Sequence, residues 1–157
     1  MSLTIGIDVG GTKVLGGVVD EAGKVLTTAR KDTPRQGGSA LTQTIADVAK
    51  ELLQQHSVAS VGVSAAGFVS SDRKTMLATP NIADWNGVDL DNQLTKLIGL
   101  PVVIENDANA AAWGEAKFGA GKNQDQRHST QQYWGLQALS CDQMRQILRL
   151  RLPLNRL

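Results

Sequence analysis

The 157-residue sequence predicts an α/β fold, with a mixed five-stranded sheet and flanking helices. It opens with three short β-branched segments separated by glycine-containing turns, a pattern typical of antiparallel strands. From Ser39 onward, segments with helical periodicity alternate with short apolar segments, which is typical of strands covered by helices. An apolar content of 41% and a charged content of 20% are those of a globular domain with its own core.

The five predicted strands cover residues 3–9, 14–19, 24–30, 58–64 and 102–104. The first two meet at a Gly-Gly bend, and an Asp-Glu-Ala-Gly turn joins the second to the third. The last two are mostly apolar, as expected of buried strands, and each is followed by a helical segment or a loop. Antiparallel and helix-connected strands together imply a mixed sheet.

Three helices are predicted, over residues 39–55, 90–98 and 108–118. The first has apolar side chains at helical spacing, at Leu41, Ile45, Val48 and Leu52. The second follows a candidate capping residue, Asp89, and ends at Gly99, with a proline just beyond. The third is rich in alanine, and we expect all three to pack on the sheet.

The bulk properties argue against several functional classes. A net charge of +1 gives no electrostatic basis for binding nucleic acid or acidic lipid. No apolar run approaches the roughly 20 residues of a membrane span, and the N-terminus lacks the features of a signal peptide. The single Cys141 excludes an internal disulfide framework and a cysteine-rich zinc site. We therefore expect a cytoplasmic protein with neither a membrane nor a nucleic acid as partner.

The first candidate site is the bend between the first two strands. Gly10 and Gly11 allow the backbone to approach a bulky anion and to turn N–H groups toward it. Thr12 adds a hydroxyl and Lys13 a positive charge, while Asp8 can hold a hydrated magnesium ion. These groups suit nucleotide phosphates, although the Walker spacing is absent and a strand follows the bend. A tight hairpin turn with a charged rim is the alternative interpretation.

The second candidate site lies where the last predicted strand becomes a helix. Ligands of open α/β sheets bind at the carboxyl ends of strands. At that position Asp107 can accept a proton from a substrate hydroxyl, and Asn106 can orient the hydroxyl. Asp107 can also cap the helix, stabilising it by ~1 kcal/mol, and the two roles are compatible. A helix N-terminus favours the ionised carboxylate, so Asp107 would be a weak base, which phosphoryl transfer tolerates.

Three motifs occur in order along the chain. They are Asp-Val-Gly-Gly-Thr-Lys at 8–13, Pro-Asn-Ile-Ala-Asp-Trp at 80–85 and Glu-Asn-Asp-Ala-Asn-Ala-Ala-Ala-Trp-Gly-Glu at 105–115. Together they resemble the ROK sugar kinases, most closely the bacterial ATP-dependent glucokinases, from Leu3 to about Lys122. The resemblance implies one lobe of an actin-like, ribonuclease-H-like ATPase, with a sugar site in the cleft between two lobes.

The resemblance also implies roles for single residues. Asp107 looks like the catalytic base that takes the proton from the glucose 6-hydroxyl before that oxygen attacks the γ-phosphate of ATP. Asn106 and Asn81 look like ligands of the ring hydroxyls, and Gly67 belongs to a loop that looks like the backbone wall of the sugar site. Without the resemblance, Asn81 is better interpreted as a turn residue after Pro80.

The cofactors implied by the resemblance are ATP and Mg²⁺. Gly10, Gly11, Thr12 and Lys13 would bind the ATP phosphates, and Asp8 would lie near the magnesium ion, with water between them. The family pattern continues with a second glycine-rich loop and a Cys-x-Cys-Gly-x-x-Gly-Cys zinc motif, and both are absent here.

Residues 122–157 match nothing in the family pattern. They contain one of the 16 glycines, and six Lys or Arg against two Asp or Glu. We interpret this segment as an atypical tail, helical or disordered, of the kind that a frame shift or altered splicing produces. Residues 1–121 are then the N-terminal lobe of a hexose kinase, nearly inactive alone, with an exposed inner face able to self-associate. The alternative is a non-catalytic sugar-binding or regulatory ROK protein.

Overall fold

The computed structural model describes residues 2–119. The strands, in chain order, are β1 (Thr4–Val9), β2 (Lys13–Val19), β3 (Val25–Asp32), β4 (Ser60–Ala65), β5 (Phe68–Val69), β6 (Thr75–Ala78), β7 (Val88–Asp89) and β8 (Val102–Asn106). The helices are α1 (Gly38–Leu53), α2 (Leu90–Ile98) and α3 (Asp107–Phe118), with a 3₁₀ turn at Ala83–Trp85. The predictions for residues 122–157, and the domain boundary at 121, lie outside the described residues.

The predicted mixed five-stranded sheet is confirmed, with the strand order β3-β2-β1-β4-β8. The central strand β1 pairs antiparallel with β2 and parallel with β4, and β4 pairs parallel with β8. The parallel register places Asp8, Ser64 and Glu105 in one row across the sheet. The carboxyl ends of β1, β4 and β8 therefore meet at a single edge.

The core lies between this sheet and the helices α1 and α2. Helix α1 packs against β1, β2, β3 and α2, and α2 packs against β8. The apolar side chains at helical spacing predicted for the first helix are buried, as are Ile7 and Ile104 on the sheet. Helix α2 begins after the Asp89 cap and ends at Gly99 in a left-handed conformation, as predicted. Within residues 2–119, no helix combines the length and the apolar character needed to cross a membrane.

A second, three-stranded sheet of β5, β6 and β7 was not expected from the sequence. Two of its strands are only two residues long, too short to show a period of two. It is held on the edge of the larger sheet by the Arg73 carbonyl, which accepts from the Ile104 N–H at 3.2 Å. Phe68 and Leu77 on this sheet are exposed. The expected self-association stays a prediction, and so does the cytoplasmic location.

The packing of β2 on α1 can be tested with Gly16→Ala. An added methyl group would lie 2.6 Å from Val48 Cγ1 and 3.0 Å from Leu52 Cδ1. We expect this overpacking to lower the free energy of unfolding by about 1–3 kcal/mol, measured by urea denaturation.

Gly11→Ala is the matched control, because an added Cβ there meets no described heavy atom within 4 Å. It should change the free energy of unfolding by less than about 0.5 kcal/mol. Equal stability of the two variants would contradict the close approach of β2 to α1.

Candidate functional site

A cleft with a volume of ≈ 670 Å³ opens at the edge where β1 and β4 end. Four segments line it: the β1–β2 bend at 9–12, the β3–α1 connection that follows Asp32, the end of β4 with Ala66, and a loop at 80–84. Gly10, Gly11, Thr12 and Asn81 are the predicted site residues among the lining groups. The structure thus brings the first two sequence motifs into one cleft.

The β1–β2 bend is held by the connection that follows β3. The Thr33 hydroxyl donates to the Gly10 carbonyl at 2.7 Å, and the Thr33 N–H donates to the Thr12 carbonyl at 3.1 Å. Among residues 2–119, the N–H groups of Gly11 and Thr12 make no backbone hydrogen bond. Neither Gly10 nor Gly11 has a positive φ, so the turn itself does not require glycine at position 11. Glycine would be required at position 11 if an anion approached the backbone there, because a side chain would occupy that space.

Asp8 lies near the carboxyl end of β1, and its carboxylate is partly buried. The buried Ser64 hydroxyl donates to Asp8 Oδ1 at 3.1 Å. Burial raises the pKa of the Asp8 carboxyl above its ordinary range, the Ser64 hydrogen bond opposes this, and the negative charge of Asp107 raises it further. The positive charge of Lys13 lowers the Asp8 pKa. Asp8, Lys13 and Asp107 therefore lie close enough to interact electrostatically.

Asn106, and not Asp107, is the N-cap of α3. Its backbone is extended, with φ −64° and ψ 140°, and its Oδ1 accepts from the Asn109 N–H at 3.1 Å. Asp107 is the first residue of the helix and accepts from the Ala108 N–H at 2.8 Å. The capping role considered for Asp107 therefore belongs to its neighbour, because the helix starts at Asp107, one residue earlier than that interpretation required. The Asp107 carboxylate is left available at the helix N-terminus.

Gly67 connects the end of β4 to this helix. Its carbonyl accepts from Asn106 Nδ2 at 2.7 Å. Its φ is +144°, and an added Cβ would lie 2.6 Å from the Ala78 carbonyl oxygen. The fold thus requires glycine at position 67 for its own packing, and the sugar-wall role stays a prediction.

The loop that carries Asn81 is anchored on α1. Asp84 Oδ2 accepts from the Gly38 N–H at 3.1 Å. The Trp85 indole N–H lies 3.1 Å from both the Gly38 carbonyl and the Thr42 hydroxyl, and the Trp85 side chain is buried. The residues of this motif therefore have two roles, with Asn81 exposed at the cleft and Trp85 buried in the core.

Sequence reasoning missed two groups at the site, Arg35 and Thr33, and it missed the hydrogen bond made by Ser64. Arg35 brings a cationic side chain to the cleft, Thr33 fixes the bend, and Ser64 donates to Asp8. Residues 33–38 lie between the predicted third strand and the first helix, and a Thr-Pro-Arg segment directly after a strand was a usable signal. The role of Ser64 depends on strand register, which the sequence does not show.

The side chains at this site suit a magnesium ion that keeps part of its water shell. They do not suit a metal ion held only by protein ligands. Within the described residues, no three His, Cys, Asp or Glu side chains cluster as metal ligands. Two carboxylates, Asp8 and Asp107, lie close enough for their charges to repel. Mg²⁺ is usually held by one or two carboxylates together with phosphates and water, and a cation between these two would relieve their repulsion.

The chain is similar to known proteins over most of its length. A model of the ROK family matches residues 4–128. The glucokinase of Streptomyces coelicolor is 48% identical over 122 residues, which cover 78% of this chain and 38% of that protein. The xylose repressor of Bacillus subtilis is more distant, at 29% identity over 127 residues, 78% of this chain and 33% of the repressor.

Two solved structures are similar over the same region. A ROK family glucokinase from Streptomyces griseus, in complex with glucose and AMPPNP, matches with a TM-score of 0.73 and 47% identity over 78% of this chain and 38% of its own. An inorganic polyphosphate/ATP-glucomannokinase from Arthrobacter sp. strain KM matches with a TM-score of 0.73 and 33% identity over 80% and 52%. The described residues therefore have the actin-like fold of ROK sugar kinases. The chain spans about 38% of the length of these glucokinases.

The raised pKa of Asp8 makes the stability of the chain pH-dependent. An aspartate whose folded-state pKa lies above its unfolded value stabilises the fold below the ordinary value of 3.8. That contribution is lost as the pH rises through the raised pKa. Asp8→Asn keeps an oxygen acceptor for Ser64 and removes the charge. We expect it to raise the thermal midpoint at pH 7 without magnesium, by a margin that shrinks as the pH falls toward 3.8. A lower midpoint at pH 7 would contradict this.

Proposed function

Because the chain belongs to the ROK family, we propose that residues 4–119 are the phosphate- and sugar-binding half of an ATP-dependent hexose kinase of the glucokinase type. The observation that carries the proposal is the convergence of three sequence motifs at one edge of the sheet. Gly10 and Asn81 line a common cleft, and Asp107 lies within electrostatic range of Asp8. The Streptomyces griseus relative, 47% identical, is a glucokinase whose structure contains glucose and AMPPNP.

On the phosphate side, the chain supplies donors and charge. The N–H groups of Gly11 and Thr12 are available to phosphate oxygens, and Lys13 and Arg35 add positive charge. MgATP, when bound, supplies the transferable γ-phosphoryl group. Asp8 would hold the magnesium ion through water, as its partly buried carboxylate and the nearby Asp107 favour a cation there.

On the sugar side, Asp107 acts as the catalytic base. Its carboxylate accepts the proton of the 6-hydroxyl group as that oxygen attacks phosphorus, and a loose transition state requires positioning more than basicity. Within the described residues, Asn106 Nδ2 donates one N–H to the Gly67 carbonyl, and Asn106 Oδ1 accepts from the Asn109 N–H. An amide side chain has two of each, so one donor and one acceptor remain for a ring hydroxyl. Asn81, which lines the cleft, would contact the same sugar.

A second candidate is a non-catalytic sugar-binding protein. The Bacillus subtilis relative is a repressor, and the sugar contacts proposed here do not require the phosphate-binding groups. Glucose binding that is lost in Asn106→Ala, in a chain that binds no AMP-PNP, would favour this alternative.

The 157-residue chain alone should phosphorylate glucose very slowly. A kinase must enclose ATP from two sides and exclude water, and the chain spans 38% of its glucokinase relatives. A coupled assay with ATP and magnesium measures this, with Asp107→Ala as the control. A turnover of roughly 1–100 per second that is abolished in Asp107→Ala would contradict the prediction.

Gly11→Ala tests the phosphate-binding bend without disturbing the fold. The added methyl group has room in the chain itself but occupies the space through which a phosphate would reach the backbone. We expect the Kd for magnesium AMP-PNP, measured by calorimetry, to rise by about tenfold, or about 1.4 kcal/mol. An unchanged Kd would favour the simple hairpin-turn interpretation.

A further inference from the structure

We propose that Asp84 is a positioning residue for the sugar side of the cleft. Its carboxylate fixes the loop that carries Asn81 against the N-terminus of α1. The inference rests on the proposed function for the identity of the ligand, a hexose, and on contacts within the chain for everything else.

The first observation is how α1 begins. Its N-cap residue is Gly37, which has no side chain to accept from the free N–H groups of the first turn. Asp84, 46 residues further along the chain, accepts from the Gly38 N–H at 3.1 Å instead. The helix dipole favours a carboxylate at this position. The capping group of α1 therefore comes from the cleft loop.

The second observation is how closely the loop fits the helix. Gly37 has a φ of +94°, and a Cβ added there would collide with the Asp84 carboxylate. A Cβ added at Gly38 would lie 2.6 Å from Trp85 Cδ1. The two consecutive glycines thus provide the space into which Asp84 and Trp85 fit.

The third observation is that hydrogen bonds within the loop hold its residues together. The Thr79 hydroxyl donates to the Ile82 carbonyl at 2.5 Å, and the Trp85 N–H donates to the same carbonyl at 2.9 Å. The Thr79 N–H donates to Asn86 Oδ1 at 2.8 Å. Asn81 lies inside this hydrogen-bonded loop and is exposed at the cleft. Its position therefore depends on where the loop is attached to α1.

The attachment also joins two walls of the cleft. Gly37 and Leu41 line it at the start of α1, while Asn81 and Asp84 line it from the loop. The hydrogen bond from the Gly38 N–H to Asp84 therefore sets the width of the cleft on its sugar side. The bend at Gly10 is held separately, through Thr33.

The chain offers a matched control at the second helix. Asp89 caps α2 by accepting from the Asn92 N–H at 3.0 Å, and it does not line the cleft. Asp84→Ala and Asp89→Ala each remove one carboxylate from one helix N-terminus. A merely structural role of Asp84 predicts the same consequences for both variants.

The experiment uses the full 157-residue chain as wild type, Asp84→Ala, Asp84→Asn and Asp89→Ala. We expect similar decreases in the urea midpoint for the two alanine variants. The Kd for glucose, from NMR titration, should rise by about tenfold in Asp84→Ala alone and recover partly in Asp84→Asn. The Kd for magnesium AMP-PNP should stay within about twofold of wild type, because the phosphate bend is held by Thr33.

An equal loss of glucose affinity in Asp89→Ala, or none in Asp84→Ala, would overturn the proposal. If the wild-type chain binds no glucose, the proposed function fails. The positioning role of Asp84 is then tested by NMR in the absence of a ligand. The side-chain amide resonances of Asn81 must then shift in Asp84→Ala and stay in place in Asp89→Ala. Unshifted Asn81 resonances in Asp84→Ala would overturn it.

Discussion

The parallel register of β1, β4 and β8 is the constraint on which the candidate site depends. It aligns Asp8 with Ser64 and Ser64 with Glu105, so that residues 56 positions apart in sequence share a hydrogen bond. A slip of one residue in β1 would turn Asp8 toward α1 and Ile7 away from it. The buried apolar row that includes Ile7 and Ile104 prevents such a slip. The hydrophobic core thus sets the geometry of the polar edge.

The polar groups at that edge lower the stability of the folded chain. The carboxylate of Asp8 is partly buried beside a second carboxylate, Asp107, and both effects raise its pKa. A chain selected only for stability would place a neutral group at this position. Natural proteins often retain such strain where a ligand relieves it, and a cation held between the two carboxylates would do so here.

The sequence predicted the parts of the fold that depend on local periodicity. The five strands of the larger sheet and the three helices follow from it, and α2 was bounded correctly by Asp89 and Gly99. The sequence motifs located Asn81 and the β1–β2 bend at a site, and the structure shows that they share a cleft. The small sheet and the contact of Asp84 with Gly38 could not be predicted. Each of them depends on segments that approach one another only in the folded chain.

The order of the strands has a consequence for how the domain folds. The β1-β2-β3 meander is closed by short turns, so we expect it to form early, since its contacts are local. The other contacts around this edge of the sheet join residues that are far apart in sequence, such as the 46 residues between Gly38 and Asp84 and the 39 between Gly67 and Asn106. The cleft would then be completed last, and partly folded chains would lack it. A ligand that fits the cleft would bind only the fully folded domain. Its concentration in the cell would therefore shift the equilibrium between fully folded and partly folded chains.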